Sequence, residues 1–218
     1  IYIFSMLACW ILIPLIGKSI SSEIKKVRIA QFIAFFMIAF DLGDDFIRMY
    51  FGTWDYKTDL PIHLCGFSIY LGAIMLLNKN QRIFELVYFW GLGGAIQAIL
   101  TPDITTFHTP WHAFSSQVSH GLIILSVSWM LFVENKRCKK GSLLRAILIT
   151  NLMLVFAGII NYLMGSNYFY LCNKPNTVSP FLVGDWPKYI IGMEIFGILM
   201  MSILYIPMRF FSKQTDTY

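Results

Sequence analysis

The stretch that decides the fold is AILITNLMLVFAGIINYLMG, residues 146–165, which carries no charged side chain. A run of about 20 apolar residues is what a helix needs to cross the hydrocarbon core of a bilayer. In lipid, only helices and closed barrels satisfy all of their own backbone hydrogen-bonding groups. The segment therefore predicts a membrane-spanning α-helix.

Six further windows share this character. Of the 218 residues, 57% are hydrophobic and only 13% are charged, which is more apolar surface than one soluble core of this size can hide. The other windows are about 1–17, 28–47, 62–77, 83–100, 113–133 and 188–208. We expect an all-α membrane protein, with residues 1–218 forming a single domain of seven transmembrane helices. The first window has neither a basic leader nor a small-residue cleavage site, so we expect no cleavable signal peptide.

The basic residues indicate an orientation. Short cytoplasmic loops hold the excess of Lys and Arg. Thirteen of the 17 basic residues fall on one side of the predicted bundle, and eight of the 12 acidic residues fall on the other. This places the N-terminus outside and the C-terminus in the cytoplasm. The net charge of +5 then reflects topology and contact with anionic lipid, and we expect no nucleic-acid partner.

Titratable residues from three predicted helices reach a similar depth near the outer side. Asp41 and Glu194 each lie about 10 Å inside their helices, and His120 comes to about the same level. An ionisable group near the membrane centre costs roughly 2.5–3.5 kcal/mol on insertion scales. The three groups predict either a shared cavity that opens outward or a buried polar network that only fixes helix packing.

A charged stripe follows the end of the second predicted helix. Asp41, Asp44, Asp45 and Arg48 are spaced i, i+3, i+4 and i+7, which puts them on one helical face. Such a face cannot point into lipid. We expect Arg48 to pair internally with Asp44 or Asp45, and we keep Asp41 as a functional candidate.

Two residues are candidate nucleophiles. Cys65 lies near the outer start of the third helix, where Pro61 suits a first-turn position, and a thiolate is intrinsically reactive. A cysteine in an apolar helix is more often an inert small hydrophobe. Ser116 is four residues before His120 and shares its face, but serines in membrane helices usually bond to their own backbone. His63 is a poor base for Cys65, because i and i+2 point to nearly opposite sides of a helix.

A zinc site is an alternative for the loop before the fifth helix. His108, His112 and Asp103 supply the imidazole and carboxylate groups that zinc favours. Loop histidines near a helix start are more often capping or interfacial residues. We therefore expect no metal and no other cofactor.

Four strings in the chain resemble a known family. They are Leu60-Pro61-Ile62-His63-Leu64-Cys65, residues 88–97 (YFWGLGGAIQ), Ser119-His120-Gly121, and residues 161–172 (NYLMGSNYFYLC). Together they resemble the bacterial YwaF-type integral membrane proteins, which are grouped with animal transmembrane protein 164. The likeness runs from about residue 28 to residue 208.

The resemblance implies a seven-helix acyltransferase-like fold, with Cys65 as the nucleophile and His120 as the catalytic histidine. The hypothesis is a lipid acyltransferase or transacylase at the outer half of the bundle, acting on a phospholipid or lysophospholipid through an acyl-thioester. Asp41 or Glu194 would orient His120. His63, Gln97 and Asn161 would contact substrate or the oxyanion. We expect a multi-pass protein of the cell membrane, in a bacterium the plasma membrane.

Two other functions stay open. Asp41, Glu194 and His120 could form the relay of a proton-coupled transporter of a small substrate. The polar groups stop at the outer half, however, and the chain shows no internal repeat. A zinc-dependent seven-helix lipid hydrolase would use His108, His112 and Asp103.

Overall fold

A computed structural model describes residues 2–100, 109–175 and 182–212. These residues form seven long helices and no β-strand. The helices are α1 (Tyr2–Ser19), α2 (Glu23–Tyr50), α3 (Leu64–Asn78), α4 (Gln81–Leu100), α5 (Pro110–Phe132), α6 (Ser142–Met164) and α7 (Lys188–Ser212). The all-helical prediction is confirmed, and each predicted window overlaps one of these helices.

Helix α4 has an irregular centre. It is α-helical over Gln81–Trp90 and Ile96–Leu100, and the intervening Gly91–Ala95 forms one π-helical turn. Such turns are rare and occur frequently at functional sites. In the N-terminal half of α4, the side chains of Phe84, Val87 and Phe89 are buried, so this helix lies in the core of the bundle.

Close contacts at glycines show which helices are neighbours and in which direction they lie relative to one another. Met37 of α2 and Ser126 of α5 both lie against Gly72 of α3, where an added Cβ would come within 2.9 Å and 3.0 Å of their side chains. On α5, Gly121 lies against Trp10 of α1. Toward the C-terminal end of α1, Gly17 lies against Trp129. Helices α1 and α5 are therefore parallel.

Side-chain hydrogen bonds from the middle of α4 reach α6 and α7. The indole N–H of Trp90 donates to the hydroxyl of Thr150 at 2.8 Å. The hydroxyl of Tyr88 donates to the carbonyl of Leu204 at 2.9 Å. Most of the remaining surface of α6 and α7 is apolar and exposed, including Leu152 and Ile195.

Three helices are long and apolar enough to cross a membrane: Gln81–Leu100, Ser142–Met164 and Lys188–Phe210. Exposed leucine, isoleucine and phenylalanine side chains on this scale need a hydrocarbon environment. The fold is that of a membrane protein.

The start of α3 differs from the expectation. Pro61 was expected in its first turn, but the helix begins at Leu64, with His63 as the N-cap residue in an extended conformation. A tight turn before it, in which the Ile62 N–H donates to the Leu60 carbonyl, takes up Pro61. This turn approaches α3 so closely that a Cβ on Gly66 would lie 2.8 Å from the Cα of Pro61.

Candidate active site

Cys65 lies in the first turn of α3 and is partly buried. Its Sγ faces the π-helical turn of α4, where a Cβ added to Gly94 would be 3.0 Å from the sulfur. The thiol is free, as are the other three cysteines, Cys9, Cys138 and Cys172. The N–H groups of a helix's first turn have no acceptor within the helix, so the Cys65 thiol lies beside backbone donors.

His120 is held in one orientation by its own helix. Its Nδ1 lies 2.6 Å from the carbonyl oxygen of Ser116, and the Ser116 hydroxyl is 3.5 Å away. A carbonyl accepts only, so Nδ1 carries the ring proton and donates it to Ser116. The lone pair of a neutral His120 is therefore on Nε2.

Helix register brings Cys65 and His120 to one level. Gly72 and Ser126 are in contact. Cys65 lies about 10.5 Å from Gly72 toward the N-terminal end of α3, and His120 lies about 9 Å from Ser126 toward the N-terminal end of α5. The two residues are therefore within about 1.5 Å of the same level along the helix axes.

The π-helical turn gives a second measure of this register. A Cβ on Gly91 would lie 2.6 Å from Ile123, which is three residues after His120 on the same face of α5. Gly94, three residues further along α4, faces Cys65. Helices α3 and α5 thus both contact the π-helical turn, through Cys65 and Ile123, although no hydrogen bond joins Cys65 and His120 in the described part of the chain.

The two carboxylates expected to orient His120 have other partners. Asp41 lies close to Tyr70 of α3 and interacts with it electrostatically. Glu194 accepts one from the Asn151 amide at 2.8 Å. Within the described ranges, Asp41, Glu194 and His120 are not hydrogen-bonded to one another, and the Ser116 carbonyl holds the position expected for a carboxylate.

His63 binds a loop of aromatic residues after α6. Its Nδ1 accepts the backbone N–H of Phe169 at 3.3 Å, and its ring meets that of Tyr168 edge-on at 5.1 Å between centroids. Burial lowers the pKa of His63 to about 4, so the ring is neutral and its proton is on Nε2. Tyr168 also ties down the segment before α3, because its hydroxyl donates to the Tyr56 carbonyl and accepts from the Leu60 N–H.

The other two predicted contact residues differ in environment. Asn161 is buried, and its Oδ1 accepts from the Ser166 hydroxyl and the Tyr168 N–H while its Nδ2 donates to the Tyr168 carbonyl. These hydrogen bonds hold the loop of aromatic residues against the C-terminal end of α6. Gln97 lies exposed on the last turns of α4.

The charged stripe of α2 forms a buried cluster around one arginine. Arg48 is 6% exposed and pairs with Asp44 at 3.2 Å, with Asp45 at 3.2 Å and with Asp59 at 2.9 Å. We call these four residues the Arg48 cluster. The expected internal pairing is present, but sequence spacing gave no signal for Asp59, which comes from the loop after α2.

Two tryptophans also contact this cluster. The indole N–H of Trp111 donates to Asp44 at 2.7 Å, and that of Trp54 donates to Asp45 at 3.1 Å. His112 Nε2 lies 3.5 Å from Arg48 Nη1. These contacts tie the start of α5 to the end of α2.

The zinc alternative depends on residues without a described position. His108 and Asp103 lie outside the described residues. Among residues 2–100, 109–175 and 182–212, no three His, Cys, Asp or Glu side chains are grouped so that they could hold a metal ion.

The opposite end of the bundle has a buried cluster that the sequence analysis missed. Glu85 of α4 is 2% exposed and pairs with Arg145 of α6. It also accepts the Lys139 backbone N–H at 3.0 Å and the Gln81 amide at 3.1 Å. These four residues, the Glu85 cluster, hold the loop between α5 and α6. The sequence signal available for this cluster was one glutamate, Glu85, within the apolar window 83–100.

The fold and this arrangement define a helical membrane protein whose candidate catalytic groups gather at one end of the bundle. The sequence model of the TMEM164 family matches residues 1–205, and the chain belongs to that family. It is 29% identical over 158 residues to an uncharacterized protein of Treponema pallidum (strain Nichols). That match covers 71% of this chain and 64% of the relative, so the chain accounts for less than two thirds of that protein. No solved structure matches the chain.

Proposed function

We propose that this protein is a membrane-embedded lipid acyltransferase or transacylase that uses Cys65 and His120. The support for the proposal is the similar level of the two residues along α3 and α5, two helices that both contact the π-helical turn of α4, together with a free, partly buried thiol and a histidine of fixed orientation. The four sequence strings that resemble an acyltransferase-like family supply the reaction class.

The first half-reaction transfers an acyl group to the enzyme. An apolar neighbourhood disfavours a resting thiolate, so the Cys65 proton passes to His120 Nε2 as the sulfur attacks the ester carbonyl of a phospholipid. The carbon–oxygen ester bond then breaks, and His120 returns the proton to the leaving oxygen. The products are an acyl-thioester on Cys65 and a lysophospholipid.

The second half-reaction regenerates the thiol. His120 Nε2 removes the proton from an acceptor hydroxyl, which attacks the thioester, and the sulfur leaves and regains the proton from His120. The Ser116 carbonyl keeps Nδ1 protonated throughout and stabilises the charged ring, as the third member of a triad does. The first-turn amides of α3 and the Nε2–H of His63 are the proposed donors to the oxyanion.

We further propose that all seven helices span the cell membrane, with the N-terminus outside and the candidate site at the outer half. The distribution of Lys and Arg supports this orientation. Single-cysteine proteins test it. A membrane-impermeant maleimide should label Cys172, which is exposed, on intact cells. A Lys140→Cys protein, with its new thiol in the loop before α6, should react only after lysis. The reverse pattern would overturn the orientation.

Intact-mass analysis tests the reaction. After incubation with mixed phospholipids, the wild-type protein should carry an acyl adduct that hydroxylamine releases. Cys65→Ser should carry none, and His120→Ala should acquire it at least about a hundredfold more slowly. Cys172→Ser, which removes an exposed thiol outside the site, is the matched control and should acylate normally. Acyl transfer that survives Cys65→Ala, which leaves no nucleophile at this position, would rule out the assignment.

A further inference from the structure

The π-helical turn of α4 contains three glycines that face different neighbours. Gly91 lies against Ile123 of α5, and a Cβ there would be 2.6 Å from its side chain. A Cβ on Gly93 would meet Leu204 of α7 at 3.7 Å, which is ordinary van der Waals contact. Helix packing therefore requires a glycine at 91 and accepts a methyl group at 93.

Gly94 has a different environment. Leaving out its two chain neighbours and the backbone of α4, the one described heavy atom within 4 Å of its added Cβ is Cys65 Sγ of α3, at 3.0 Å. This contact is tight, so a side chain at position 94 would crowd the candidate nucleophile. On its other sides, no other described neighbour comes within 4 Å of the added Cβ.

A covalent intermediate on Cys65 would need this position. In an acyl thioester, the carbonyl oxygen and the first methylene carbon are each two bonds from the sulfur. Their distance from Sγ is therefore close to the 3.0 Å that separates Sγ from the added Cβ. A methyl group at position 94 would occupy room that the thioester needs, whereas the resting thiol already fits beside the glycine.

We propose that Gly94 is a specificity-determining residue: its missing side chain leaves the space that the acyl group occupies when a fatty acyl thioester forms on Cys65. This inference rests on the proposed function of Cys65. It adds that the space beside the sulfur limits the size of the group that Cys65 can carry.

The test compares Gly94→Ala with Gly93→Ala, the same substitution one residue away in the same helical turn. Both proteins are incubated with phospholipid vesicles of mixed chain length and, separately, with iodomethane, which transfers only a methyl group to the Cys65 sulfur and releases iodide. Adducts are measured over time by intact mass.

We expect Gly94→Ala to slow fatty acylation by about tenfold or more, since one extra methylene-sized group in a fitted site changes rates by that order. Its reaction with the small reagent should stay close to that of the wild type. Gly93→Ala should behave as the wild type with both. Fatty acylation of Gly94→Ala at the wild-type rate would overturn the inference and leave the proposed function intact. Equal slowing with both reagents would also overturn it, because Gly94 would then only position the thiol.

A second pair of variants guards against misfolding of Gly94→Ala. Gly94→Cys should form a disulfide with Cys65 on mild oxidation, since its Cβ lies within disulfide reach of Sγ, and this bond reports a folded turn. After reduction, Gly94→Cys should acylate more slowly than Gly93→Cys. Equal rates in this pair would refute the inference. Absence of any adduct on the wild-type protein would instead refute the proposed function and the inference with it.

Discussion

The two ends of the bundle bury ionic clusters of opposite design. The Arg48 cluster surrounds one cation with three carboxylates. The Glu85 cluster surrounds one anion with a guanidinium, an amide side chain and a backbone N–H. The Arg48 cluster has more carboxylates than cations. In the Glu85 cluster, the one carboxylate is paired with one guanidinium. Each holds a loop against the bundle, but only the end with the Arg48 cluster also holds Cys65 and His120. Buried charge by itself therefore does not mark the candidate site.

The largest expected effect comes from removing the central cation. Arg48→Met leaves three neighbouring carboxylates without their shared partner, and breaking a buried ion pair costs about 3–5 kcal/mol. Unfolding in detergent, followed by tryptophan fluorescence, should show a loss of this size. The loss should shrink as the pH falls, because protonation relieves the repulsion among the carboxylates. Arg48→Lys, which keeps the charge, should lose less. Equal losses in the two variants would show that guanidinium geometry, not charge balance, matters here.

Neutralising the carboxylate of the Glu85 cluster should reduce the free energy of unfolding by less. Glu85→Gln keeps an oxygen acceptor for the Lys139 N–H but loses the ion pair with Arg145, which is partly exposed and can regain water. We expect a loss of about 1–2 kcal/mol in the same unfolding measurement. Glu134→Gln, which breaks the pair of Glu134 with the more exposed Lys79, is the matched control and should lose less than about 1 kcal/mol. A larger loss for Glu85→Gln than for Arg48→Met would reverse the comparison between the two ends.

The smallest effect concerns the pH dependence of the contact between His63 and the aromatic loop after α6. The pKa of His63 is lowered to about 4 by burial, so the unfolded chain binds its proton at a higher pH than the folded protein does. Folding stability should therefore fall as the pH drops from about 6.5 toward 4. A protonated Nδ1 can no longer accept the Phe169 N–H. His63→Gln should remove this part of the pH dependence, measured as melting temperature between pH 7 and pH 4. An unchanged pH profile would show that His63 protonation does not control the aromatic loop.

The sequence predicted the helices well because their signal is local. A run such as residues 146–165 determines its own structure in lipid, and α6 covers Ser142–Met164 as expected. The pairing of Arg48 with Asp44 and Asp45 was equally local, because i, i+3 and i+4 spacing fixes neighbours on one helix.

Features that depend on contacts between distant segments were missed. Asp59 reaches Arg48 from a loop, and Arg145 reaches Glu85 from another helix. Neither has a periodic signal. The surroundings of Asp41 could not be predicted for the same reason: its depth along α2 could be counted, but its position close to Tyr70 could not. That Asp41 or Glu194 orients His120 stays a prediction. The π-helical turn was not predicted either.

That turn divides α4 into two helices that are out of phase. A π-helical turn accommodates one more residue than an α-helical turn, so Ile96–Leu100 is rotated by about 100° from where an uninterrupted helix would place it. Deleting one residue within Gly91–Ala95 would remove this offset without changing the composition of either half. The face of α4 that now meets Cys65 would then turn toward a different neighbour, so the position of the candidate site is set by a count of residues as much as by their identity.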